Sequence, residues 1–478
     1  MVRLRDRIGF GIGFGLVGLL LVGALEALGG SVAPGPGPAQ SLAGYSTAAP
    51  FDLPAAVATG LTNAGILPQA TGPIYPTSTP VPSPVVQISV LAGAALHLVG
   101  HEATADGCWT LFRSPDSSPF LNDPGSSGIS SIISLGQNDV WVGGFQRDSS
   151  LALHWNGATW QAVPSPNIGG GGSLSALAAR ASDDVWGVVN WSVEIGSSYA
   201  FNSVAERATL VHWDGHAWRI LPDGETAGVS QIVARAVDDV WAVGSVGVGQ
   251  GNSRRTTLLH WDGKSWQDRS SDWPNAAYGF LGGLDGAAAP TAHGLWTVGG
   301  DAHDQIVHWD GLTLATVETA TTMLVPTNTI TLAAVSASGP EDVWVVGSYA
   351  ASGGADKGQG LILHWDGYTW TQMLDSSVSA LTTVVAPSAA DVWALGSRVV
   401  GDVTESTVLH WDGTAWRSVS LPKLLPQLSE FTAMSATGDT LWLAGYTYQS
   451  QQDASARNGV VARLSKGACA GAGATPAP

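Results

Sequence analysis

Six histidines, His154, His212, His260, His308, His364 and His410, are each followed by Trp and then by Asp-Gly or Asn-Gly. An imidazole can move a proton or bind a metal. A metal site needs three or four ligands converging on one point, whereas residues that recur at equal intervals are carried to separate, equivalent places. These histidines are therefore expected to be core residues with hydrogen-bond partners. The Asp preceding a second recurrent Trp is the candidate partner, as Asp239 for His260, and His308 lacks one. The carboxylates Asp214, Asp262, Asp310, Asp366 and Asp412 suit a turn, because Asp tolerates its left-handed backbone. Asn156 takes their place in the first copy, which fits a turn role and not charge-dependent catalysis. No cofactor is expected, calcium at these turns being the alternative. Glycoside hydrolysis would need two carboxylates about 5–9 Å apart. Glu194, Glu206, Glu225, Asp285, Asp301 and Asp304 are available, and nothing in the sequence pairs them. Gly-x-Ser-x-Gly, His-Glu-x-x-His and phosphate-loop patterns are absent from the sequence.

The elements that carry these residues repeat. Asp-Val-Trp, followed by two small or apolar residues and Gly, recurs at Trp141, Trp186, Trp241, Trp344 and Trp393, with degenerate copies at Trp296 and Trp442. The seven copies are spaced 45, 55, 55, 48, 49 and 49 residues apart. The histidine landmark, His-Trp-Asp/Asn-Gly-x-x-Trp, alternates with it and departs once, with Leu314 for the last Trp. Asp-Gly between apolar runs is a strong hairpin signal. Four strands per roughly 50 residues make a β-propeller blade. The expected blades are 128–166, 172–223, 229–272, 278–319, 329–374, 379–422 and one from about 429. A loop of two or four residues puts Trp261 and Trp266 on one face of their hairpin and His260 on the other. The recurrent tryptophans are expected to pack between blades, since indoles bury large areas with defined geometry.

The last blade lacks a fourth strand. Asp106-Gly107-Cys108-Trp109 resembles a hairpin exit such as Asp412-Gly413-Thr414-Ala415-Trp416, so residues 108–114 are expected to pair with 459–466 and close the ring. Cys108 and Cys469, the two cysteines, then become neighbours, and a disulfide between them is expected. An eight-bladed ring, with strands supplied by Val85 to Gly100, is the rival architecture.

The repeat copies resemble bacterial kelch- or BNR-type propeller repeats over about residues 108–468. The turn is similar to the sialidase Asp-box, Asp-x-Gly-x-Thr-Trp, but Asp and Gly are adjacent here, one residue short. That resemblance implies a propeller and, for a sialidase, an arginine triad and an Arg-Ile-Pro motif. Arg219-Ile220-Leu221-Pro222 departs from the motif. Kelch-type copper oxidases imply a Tyr–Cys cross-link, and both cysteines here have another role.

Arg3, Arg5 and Arg7 precede an uncharged apolar run of 18 residues, Ile8 to Leu25. Residues 1–30 read as a signal-anchor or signal peptide, which places the rest outside the cytoplasm. Residues 31–84 form a Pro/Ala/Ser/Thr-rich linker, 85–468 the seven-bladed all-β propeller and 469–478 a flexible tail. The net charge of −18 argues against a nucleic-acid partner. The expected function is an extracytoplasmic binding or scaffold propeller, monomeric and membrane-attached, with a protein or glycan ligand. The alternative is a glycoside-processing enzyme acting at the central channel. Between the second and third strands, residues 190–206, 245–256, 348–360, 397–406 and 446–458 read as long loops on one rim. Trp191, Tyr199, Phe201, Arg254, Arg255, Tyr349, Lys357, Tyr446 and Tyr448 lie there and are the candidate ligand contacts, of the types enriched at hot spots. Tyr199 and Tyr446 are expected to be exposed and replaceable without loss of stability.

Overall fold

The computed structural model describes residues 87–89 and 95–469, apart from 115–126, 273–282, 318–328, 351–357 and shorter stretches at hairpin tips and connections. The expected signal or anchor, residues 1–30, and the linker, 31–84, lie outside the described residues.

Seven antiparallel sheets form seven blades; six have four strands and one has five. Blades one to six comprise Ser127–Val163, Ser173–Thr226, Gln231–Asp268, Gly283–Val317, Thr329–Asp375 and Ala380–Val419, with the strands of each in chain order. The first strand of each blade touches the first strands of both neighbouring blades, all the way round, so these seven strands surround the axis. Blade seven consists of Ser429–Thr437, Thr440–Ser450 and Asp453–Ser465, followed by the amino-terminal strands Gly107–Arg113 and His97–Thr104. Cys108 pairs with Ser465 and Arg113 with Val460, the closure read from the hairpin-exit motif. Val85 to Gly100 does not begin an eighth blade. It contributes to a fifth, outermost strand of blade seven, and Gln87–Ser89 pairs with Ser165–Asn167 as a separate ribbon. The Cys108–Cys469 disulfide joins the two ends of the ring across 361 residues, with Cα atoms 4.9 Å apart.

The unbroken apolar second strands follow from this stacking. Val240, Trp241, Ala242 and Val243 are all buried, because each blade has a neighbour on both faces. Each of the seven seams between blades holds one apolar cluster, and the seam between blades seven and one unites Trp442, Ala444 and Val461 with Ile129, Leu153 and Trp160.

The second-strand Trp explains the repeat. In blades one to six its ring stacks on the histidine of its own blade, at 3.8 Å for Trp393 on His410 and 4.5 Å for Trp141 on His154. It also meets the hairpin tryptophans of the next blade, as Trp186 meets Trp261 and Trp266. Trp261 pairs directly with Trp266 across a four-residue turn, so both share a face. Gly263, in that turn, has φ +88°, and a Cβ there would meet Asp238 of the neighbouring turn at 2.9 Å. Glycine therefore serves both the backbone conformation and the packing of one turn on another.

Candidate functional site

The propeller has two unlike faces. One carries the tight turns, between first and second strands and between third and fourth. The other carries the hairpins joining second to third strands and the connections between blades.

On the turn face the recurrent polar residues are occupied in structure. Nε2 of His154, His212, His260, His364 and His410 lies 2.6–2.9 Å from Oδ1 of Asp139, Asp184, Asp239, Asp342 and Asp391 respectively. The same Asp accepts the indole N–H in three blades, as Asp239 does from Trp241. The Asp reaches the indole of its own strand because residues two apart in a strand face the same way. Burial disfavours the Asp239 carboxylate, but hydrogen bonds from His260 and Arg235 outweigh it and hold its pKa below the usual value. In blade four, Gly294 stands where the Asp would be. Burial there lowers the His308 pKa, with the charge of Asp310 only partly offsetting it. The turn carboxylates accept backbone N–H groups. Asp262 takes those of Lys264 and Ser265, and Asp412 takes those of Thr414 and Ala415. The Thr414 hydroxyl has the largest effect on Asp412, these amides add to it, and together they bring its pKa to about 2. The turn reading of these carboxylates accounts for every one of these contacts.

The hairpin face differs from the expected rim of loops. Much of it is strand. In blade two, Asp184–Ser198 pairs with Phe201–Trp213 almost to the tip. In blade six, Asp391–Val400 pairs with Val403–Trp411. In blade seven, Thr440–Ser450 pairs with Asp453–Ser465. The cause is β-branched and aromatic residues continuing through these segments, such as Val399, Val400, Val403 and Thr404. Gly401, at φ +63°, follows Val400 and allows the tight turn at the tip of the blade-six hairpin.

This places the candidate residues as follows. Trp191 is half-buried on a strand; its indole N–H donates to Thr209 Oγ1 at 3.1 Å and its ring packs against the core between blades one and two. Tyr349 is partly buried against the core between blades four and five. Both are structural supports of the hairpins. Arg255 is exposed at the start of a third strand. Phe201 and Arg254 begin third strands, and their side chains lie outside the described residues, as do Tyr199 and Lys357 altogether.

Tyr446 and Tyr448 come together, but not as exposed loop residues. Tyr446 is only 9% exposed and Tyr448 is half-buried. They lie two apart on the second strand of blade seven, on the face turned toward blade one. Glu430 is directly opposite Tyr446, and Arg457 directly opposite Tyr448. The Tyr rings meet edge to face at 5.3 Å. The Arg457 guanidinium lies 4.5 Å from the centre of the Tyr446 ring and 5.3 Å from that of Tyr448. The Tyr448 hydroxyl donates to Glu430 Oε2 at 3.0 Å. Burial raises the Tyr446 pKa most, with the Glu430 charge and a hydrogen bond to Tyr448 adding to it, so the phenol stays protonated. A chain of donors thus runs from Tyr446 through Tyr448 to the exposed Glu430. Two aromatic rings, a cation and a carboxylate acceptor meet at the rim of one seam.

The sequence singled out the two tyrosines but not Glu430 and Arg457, which the strand register brings beside them. Glu430 is one of two acidic residues on the seven first strands, with Asp285 in blade four the other. That rarity was the available signal. Among the described residues no cluster of His, Cys, Asp and Glu has the form of a metal site. No helix among them is long and apolar enough to cross a membrane.

No protein-family model matches the chain, and no curated protein matches it. Among solved structures the chain is similar to YCF48 from Cyanidioschyzon merolae, at 12% identity and a TM-score of 0.44, over 74% of this chain and 98% of that one. It is similar to the polysaccharide lyase Uly1 at 9% identity and a TM-score of 0.44, over 73% and 92%. It is also similar to the β-propeller domain of the Trilobed protease from Pyrococcus furiosus, at 8% identity and a TM-score of 0.39, over 75% and 91%.

Proposed function

We propose that this protein is an extracytoplasmic binding propeller that takes a hydroxyl-rich ligand, a glycan, on its hairpin face at the seam between blades seven and one. The observation that carries the reading is the cluster of Tyr446, Tyr448, Arg457 and Glu430. Sugar rings present C–H faces to aromatic rings and hydroxyl groups to planar polar side chains. A small number of fixed polar groups beside an aromatic wall is the usual form of a small-molecule site. The internal hydrogen bonds and the Arg–Tyr stacking hold these groups in one arrangement, which lowers the entropic cost of binding. The rigid ring behind the site supports it, while the hairpins differ from blade to blade.

The rest of the proposal follows the chain. The disulfide fits an oxidising compartment, and residues 1–30 would deliver the propeller there and hold it at the membrane as a monomer. The likeness of the turns to kelch or BNR repeats belongs to the same proposal. Catalysis at the channel is the weaker reading, because the two acidic residues of the first strands, Glu430 and Asp285, sit on blades three apart. A glycan and peptide array probed with the full chain tests the assignment. Glycan signals lost in Tyr448→Ala and Glu430→Gln support it. Peptide binding alone, or glycan signals indifferent to both changes, would refute it.

A further inference from the structure

Blade seven breaks the polar pattern of the turn face. Five blades hold an Asp–His pair beside the second-strand Trp. In blade seven the Asp position is Thr440 and the His position is Arg463, directly opposite Trp442. The guanidinium lies 5.5 Å from the Trp442 ring centre and 5.8 Å from that of Trp155 in blade one. Among the described residues no carboxylate pairs with it, and burial is the sole influence lowering its pKa. A partly buried cation without a counter-charge is costly, and it is the more unusual in a chain of net charge −18.

The strands added to blade seven extend this row. Thr110 lies opposite Arg463, and His101 opposite Thr110, so Trp442, Arg463, Thr110 and His101 line one face across four strands. Arg463 Nη2 donates to Thr110 Oγ1 at 3.4 Å, and His101 Nδ1 lies 3.0 Å from the same hydroxyl. An arginine can only donate, so Thr110 accepts from it and can donate its own O–H to Nδ1 in a hydrogen bond. Neutral His101 then carries its proton on Nε2, as a donor. His101 is exposed and Arg463 partly so, which leaves the row open at its outer end. The matching seam between blades two and three is open as a shallow cleft lined by Arg180, Asp183, Asp184, Trp186, His212 and Trp261. There carboxylates stand beside the Trp; at the seam between blades seven and one, among the described residues, Arg463, Thr110 and His101 take their place.

We infer that the seam between blades seven and one on the turn face is a binding site for a compact oxyanion, held by Arg463 and His101 with Thr110 between them. It lies on the opposite face from the proposed glycan site and does not depend on it. Arg463 comes from the last strand and Thr110 and His101 from the first two of the propeller, so the site exists only when the ring is closed. The anion can be free, as inorganic sulfate, or the carboxylate of a sugar acid, as glucuronate.

The test is equilibrium binding of sodium sulfate, sodium glucuronate and glucose to the full chain by ligand-observed NMR, at constant ionic strength. Binding of either anion, with none of glucose, is expected, and which anion binds identifies the source. His101→Ala, at an exposed position, should weaken binding severalfold. Arg463→Gln should weaken it about tenfold or more, as loss of a charge-assisted bond does. Thr440→Asp restores the acid of the other blades beside Arg463 and should abolish binding with the fold intact, which a melting curve verifies. Undiminished anion binding in a folded Thr440→Asp or Arg463→Gln protein overturns the inference, as does the absence of binding of both anions to the unaltered chain.

Discussion

Trp442→Ala should be among the most damaging single changes in this chain. Trp442 is completely buried and touches Phe112, Trp155 and Trp160, with ring centres at 6.4, 6.1 and 5.7 Å. An indole of this kind buries about 150–250 Å². At about 25 cal/mol per Å² that corresponds to about 4–6 kcal/mol. Measured truncations of large aromatic residues in cores cost about 3–5 kcal/mol. Arg463 would also lose a stacking partner worth about 0.5–2 kcal/mol. The expected loss is therefore about 4–5 kcal/mol, read from urea unfolding followed by tryptophan fluorescence. Tyr368→Ala is the control. That side chain is 83% exposed at a turn and should change stability by less than about 0.5 kcal/mol. Because Trp442 sits at the closing seam, amide exchange in Gly107–Arg113 should speed up before exchange elsewhere. A loss below about 1.5 kcal/mol, or protection in that strand unchanged, would contradict the packing argument.

Three further outcomes are expected. Cys108→Ser removes a link across 361 residues, for which chain-entropy models give about 6 kcal/mol; calorimetry should show a lower Tm, and an unchanged Tm would mean that the link adds nothing to the closed ring. Tyr446→Ala should cost about 3 kcal/mol because the ring is buried, while Tyr446→Phe should stay within about 1 kcal/mol, both measured by denaturant melts. Burial holds the folded pKa of His308 below its usual 6.5, so the stability it contributes is present above pH 6.5 and lost as pH falls through the folded value; His308→Gln should flatten that part of the stability–pH curve, and an identical slope would show that His308 does not titrate this way.

The architecture was legible because it is repeated. Val240-Trp241 and His260-Trp261 mark the same two strands in blade after blade, and each landmark has one physical job, so few copies settle the period. Closure by residues 107–113 was legible because Asp106-Gly107 copies the turn that opens every fourth strand. The rim was harder to read. The sequence between Trp186 and His212, or between Trp442 and Arg463, has no tight-turn signature near its middle, so strand pairs that run on to their tips looked like loops. Tyr446 was misplaced for that reason; in a strand, residues 442, 444, 446 and 448 all face blade one, and Tyr446 is buried behind the rim. Arg457 and Glu430 belong to non-adjacent segments that meet only through strand register, which a single sequence does not display. Arg463 occupies the place of a repeat histidine, but the Trp that should follow it is Leu464, and the broken landmark hid the equivalence.

The proposed function places binding at the hairpin rim of blade seven, on side chains held there by the closed ring. The most direct measurement is the affinity, by titration calorimetry, of the full chain and of Tyr448→Ala for the strongest glycan found on an array. Asp262→Asn, at a turn on the opposite face, serves as the comparison. Tyr448→Ala should weaken binding by about tenfold or more, as loss of an interface aromatic does, and Asp262→Asn should leave it unchanged. Loss of affinity in Asp262→Asn with Tyr448→Ala still binding normally would place the function on the other face and contradict the claim.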